Sequence, residues 1–90
     1  RFTTPPPLVV EVRSPSTWRY DVGTKLRTYE ASGVAEVWLV DTAADVVLVY
    51  RRSAPAAAHF DVELELTATD TLTTPLIPGW YVDLAALFAR

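Results

Sequence analysis

The run Val9–Asp41, VVEVRSPSTWRYDVGTKLRTYEASGVAEVWLVD, does more than any other stretch to limit the folds open to this chain. It reads as a strand, a turn, a helix and a second strand. Leu8–Val12 is almost continuously apolar and β-branched, the pattern of a strand covered on both faces. Strand alternation puts Val9, Glu11 and Arg13 on one face and Leu8, Val10 and Val12 on the other. Glu11 therefore interrupts a strand that reads as buried, and a buried carboxylate is costly unless a cation, a metal or donors compensate it. Pairing with Arg13 or a helix lysine would answer that cost structurally, and a role in chemistry would answer it functionally.

Pro15 disfavours helical geometry at Ser14, and Ser16 or Thr17 can cap the helix that follows. That helix is expected from about Trp18 to Ser32, with Gly33 as its left-handed stop. Val22, Leu26 and Tyr29 form its apolar stripe. Lys25 borders the stripe. It stands four residues after Asp21, a favourable ion-pair spacing, so pairing along the helix competes with a reach back toward Glu11.

Val34–Asp41 and Asp45–Arg52 read as the second and third strands, with Thr42–Ala44 short enough for a hairpin. Trp38 is expected in the core. Ser53–Ala58 is a loop. Phe60–Leu66 alternates apolar and acidic residues, so Asp61, Glu63 and Glu65 read as the wet face of an edge strand rather than a metal site. His59, the one histidine, has no triad or metal constellation around it and is expected to be exposed. Asp70–Pro78 is turn-rich, Gly79–Asp83 a short final strand, and Leu84–Phe88 a closing helix capped by Asp83. Residues 1–7 form a proline-rich extended lead-in, and residues 8–90 a single α/β domain.

Composition narrows function by exclusion. A net charge of −3 argues against a surface that coats nucleic acid, although Arg13, Arg19, Lys25 and Arg27 fall close together. The absence of cysteine excludes disulfides and thiolate metal sites and fits a reducing, cytoplasmic setting. No apolar run approaches the roughly 18 residues of a membrane helix. The chain starts at Arg1 and contains no methionine, so a fragment of a longer product is expected.

The string LVVEVRSPST, then Asp21, Lys25, Leu26 and Tyr29, then GVAEVWLVD, VVLVYR and DTLTTPLIPGWYVDLAALF, resembles one family from Leu8 to Phe88. This is the Uma-type branch of restriction-endonuclease-like proteins, in the PD-(D/E)XK nuclease superfamily, and the likeness is to its C-terminal half. The resemblance implies an α/β, restriction-endonuclease-like sheet with a flanking helix, here a partial core of strand-helix-strand-strand-strand plus a short C-terminal helix. It also implies a metal-dependent DNA endonuclease with Mg²⁺ or Mn²⁺ at the sheet edge. The family's acidic half-motif residue falls on Glu11, as metal ligand and catalytic group, and its migrated lysine on Lys25. Arg13 takes the position of the usual motif lysine, and Arg13, Arg19 and Arg27 would contact DNA phosphates. Tyr29 and Trp38 match positions that read as structural.

The chain departs from that pattern in two places. Pro7 stands where the family often has aspartate, and the upstream strand bearing the PD aspartate lies outside these ninety residues. The chain is accordingly expected to be an incomplete or inactive half. Its exposed sheet edge would invite homodimeric pairing. The alternative expectation is a non-catalytic protein-interaction module that retains the nuclease-like fold.

Overall fold

A computed structural model describes the backbone of residues 5–13 and 15–89, and the side chains of those residues outside 13–22. Four strands form the main sheet in the order β1-β2-β3-β4: β1 Leu8–Arg13, β2 Glu36–Asp41, β3 Val46–Arg51 and β4 Val62–Thr67. β1 runs parallel to β2, from Leu8 opposite Glu36 to Arg13 opposite Asp41. The other two pairings are antiparallel. A parallel neighbour requires a crossover, and α1 Pro15–Ser32 supplies it.

The helix begins at Pro15 rather than near Trp18, so Ser16 and Thr17 lie inside its first turn instead of capping it. Proline suits a first helical position, since its fixed φ is already helical and its missing N–H would have had no partner. At the other end Gly33 adopts a φ of 87°. The Gly33 N–H donates to the Glu30 carbonyl at 3.1 Å and the Val34 N–H to the Tyr29 carbonyl at 3.0 Å. These two bonds are a Schellman closure, and they lead the chain directly into β2.

The β2–β3 hairpin turns on Asp41, whose Oδ1 accepts from the Ala43 and Ala44 N–H groups, both at 3.0 Å. β4 is an edge strand whose exposed Glu63 and Glu65 discourage further pairing. Two further strands, β5 Thr71–Thr73 and β6 Tyr81–Asp83, make a separate antiparallel ribbon instead of joining the main sheet. β5 falls in the stretch expected to be turn-rich. The helix α2, Leu84–Leu87, is capped as expected, with the Asp83 carboxylate accepting from the Ala85 N–H at 3.1 Å.

The two faces of the sheet carry separate cores. Val34, Val37, Leu39 and Phe60, with Val9, Leu26 and Tyr29 packed against them, fill the α1 side. Trp38, Val40, Val47 and Val49 face the ribbon and α2 through Leu72 and Leu84. Leu84 is fully buried, and its burial, about 2 kcal/mol, holds a helix far too short to be stable alone. Trp38 is in the core as expected, its ring stacked on Trp80 at 5.6 Å.

The second face of β1 departs from expectation. Val10 and Val12 are 49% and 63% exposed, because the ribbon and α2 pack over β2 and β3 and leave β1 largely uncovered. Among the described residues no helix is long and apolar enough to cross a membrane.

Candidate active site on the first strand

Glu11 lies in β1 opposite Leu39 and projects from the face that α1 covers. Lys25 and Tyr29 stand i and i+4 on α1, so both side chains leave the helix in one direction. They meet the carboxylate together. The Lys25 Nζ is 3.1 Å from Glu11 Oε1, and the Tyr29 hydroxyl donates to Glu11 Oε2. The side chain of Glu11 is 15% exposed and that of Lys25 42%. The carboxylate is therefore held between a cation open to solvent and a phenol packed into the core.

Among the described residues, Glu11 is met from the helix and Lys25 reaches back to the strand. Of the three arginines expected at phosphate, the side chains of Arg13 and Arg19 lie outside the described residues, as does that of Asp21. Arg27 is exposed, with its Nη2 3.5 Å from Thr24 Oγ1. Tyr29, read from sequence as structural, touches the candidate acid directly. Its i+4 spacing from Lys25 was the available signal.

The donor set can be tested against a divalent cation. Glu11 offers hard carboxylate oxygens, as Mg²⁺ prefers, and Mg²⁺ sites commonly use one or two carboxylates plus water and substrate phosphate. Among the described residues no group of three or more His, Asp or Glu is placed to hold a metal. Glu11 thus fits as one ligand of such a site, with the remaining ligands to come from elsewhere.

A second carboxylate, Glu36, had no role in the sequence reading. It is 1% exposed and accepts from Arg51 Nε at 2.9 Å, Arg51 Nη2 at 3.1 Å, Thr74 Oγ1 at 2.8 Å and Trp38 Nε1 at 2.5 Å. Such full satisfaction marks a structural group. It borders a cleft of about 310 Å³ that includes Gly33, Arg51, Arg52 and Leu76 in its lining. Glu11, Lys25 and Tyr29 are not part of that cleft.

Elsewhere, burial and then the Glu63 and Glu65 carboxylates push the Tyr50 phenol above its ordinary value. The Ser53 hydroxyl, which donates to Asp61 at 2.5 Å, draws the Asp61 carboxyl below the usual range. His59 is 80% exposed as expected, with its Nδ1 3.7 Å from Glu30 Oε1.

Residues 1–85 match the Uma2 family, described as a putative restriction endonuclease. The chain belongs to this family. The Uma2 match begins before β1 and ends within α2, so Glu11, Lys25 and Tyr29 all lie inside it. A similar solved structure is a putative nuclease belonging to DUF820 from Anabaena variabilis, 19% identical, with a TM-score of 0.73. The alignment covers 98% of this Uma2 chain and 46% of that one, so the chain spans under half of its neighbour's length. At that identity the likeness establishes the fold. No curated protein matches the chain.

Proposed function

We propose that this chain carries the catalytic acid and lysine of a divalent-metal-dependent DNA endonuclease. The observation behind the reading is the Lys25 Nζ held 3.1 Å from a largely buried strand carboxylate, Glu11, within a family described as putative restriction endonucleases. Glu11 would hold Mg²⁺ or Mn²⁺, which supplies a Lewis acid and an acidified water when bound. Lys25 offsets the charge that develops on the scissile phosphate. Arg13, Arg19 and Arg27 would engage backbone phosphates, so that DNA affinity falls as salt rises. One carboxylate is fewer than such a site commonly uses, so the reading needs a further acidic ligand besides Glu11, and without one the ninety residues would be inactive. The cytoplasm, where DNA is reached and cysteine-free chains are common, is the setting we assign.

The test is supercoiled-plasmid nicking by the complete gene product with Mg²⁺ or Mn²⁺. The expected result is nicking that Glu11→Ala abolishes and Lys25→Ala lowers by roughly 10²–10³-fold. Cleavage undiminished by both changes would remove these residues from the reaction.

β1, an edge strand among the described residues with Val10 and Val12 exposed beside it, favours a second reading. In that reading the fold serves as an interaction module, and β1 pairs with β1 of a second copy. A folded complete product that never nicks DNA but self-associates would support it.

A further inference from the structure

We propose that Tyr29 is the positioning residue for Glu11, and that Lys25 and a divalent cation compete for the same carboxylate. This inference rests on the reading of Glu11 as the metal-binding acid. The two donors differ in how firmly they are held. The Tyr29 ring packs against the core of Val34, Val37, Leu39 and Phe60, and a phenol has only two side-chain torsions to fix. Its backbone carbonyl is also locked, accepting the Val34 N–H of the helix closure at 3.0 Å. Its hydroxyl on Oε2 is therefore a fixed stop that sets the rotamer of Glu11.

Lys25 is the opposite case. Its ammonium sits at the end of a flexible stem on a side chain 42% exposed, 3.1 Å from Oε1. It can leave Glu11 for a phosphate oxygen without disturbing the core. While it stays, its positive charge repels a cation approaching Oε1. Removing Tyr29's hydroxyl should thus weaken metal binding, as loss of a group that orients a ligand generally does. Removing Lys25's charge should not.

The experiment measures Mn²⁺ binding to the complete gene product without DNA, by the electron paramagnetic resonance signal of free Mn²⁺, alongside nicking. Glu11→Gln identifies the site by the binding it removes. Tyr29→Phe, which keeps the ring, is expected to weaken that binding roughly tenfold. Its nicking should recover at saturating Mn²⁺. Lys25→Met is expected to bind Mn²⁺ at least as tightly as the parent, with nicking that no Mn²⁺ concentration restores. Parent-like binding in folded Tyr29→Phe, or weakened binding in Lys25→Met, would overturn the inference while leaving Glu11 as the acid. The Lys25→Met arm decides the matter by itself if Tyr29→Phe does not fold. Glu11→Gln that binds and nicks like the parent would remove Glu11 from the metal site, and this inference with it, whereas a complete product that never nicks would bring down the nuclease reading.

Discussion

At Glu36 the chain buries a whole carboxylate, and its neighbours show what that requires. Arg51 forks onto both oxygens, Thr74 and Trp38 complete the shell, and Arg51 also donates to the Thr73 carbonyl at 2.8 Å. Arg51→Met would leave the charge of Glu36 buried without its counter-ion. We expect that change to cost about 3–5 kcal/mol in chemical denaturation. A loss below about 1 kcal/mol would mean that water reaches Glu36. Glu11 and Glu36 both interrupt apolar runs, yet only Glu11 stands out in the sequence. Lys25 and Tyr29 lie within a single strand–helix unit, so local spacing points at them. Apart from Trp38 two residues along the strand, the partners of Glu36 come from cross-strand register and from the segment just after β5, neither of which a linear reading contains.

Among the elements, α1 and the first three strands were legible because their signals are local: a proline at the helix start, a glycine after its end, and β-branched runs broken by a short turn. Gly33 carries the sharpest of these. Its φ of 87° is left-handed, and a Cβ there would sit 3.4 Å from the Pro5 ring. Gly33→Ala should therefore destabilise the domain by roughly 1–2 kcal/mol, read as a lower urea midpoint at unchanged slope. An unchanged midpoint would show that the Schellman closure contributes nothing. The ribbon was legible only in part. β5 has three residues between turns and shows no period of its own, and it exists because β6 pairs with it and Leu72 is buried beneath. Early coverage of both faces of β1 was also misread, since an apolar run says that a face wants covering and not which segment covers it.

At the scale of the whole molecule the radius of gyration is 13.4 Å, against the ~12 Å typical of a chain this long. Among the described residues β1 and β4 are the two edges of the main sheet. The proposed pairing of β1 with a second copy makes this measurable. The ninety residues should sediment as a concentration-dependent dimer, and Val12→Lys, a charge on the exposed face beside that edge, should shift them toward monomer. A monomer at every concentration would dispose of the pairing. The Glu36 cluster has a consequence in time as well as in space. A ribosome releases the chain from its N-terminus, so β2 and β3 emerge before Thr74, which lies 38 positions beyond Glu36. Until that hydroxyl arrives, the carboxylate has Arg51 and Trp38 but not its full shell, and the ribbon that roofs it has yet to form. The nascent sheet therefore waits with one charged group half-sealed, until the stretch around Thr74 is translated and shuts it.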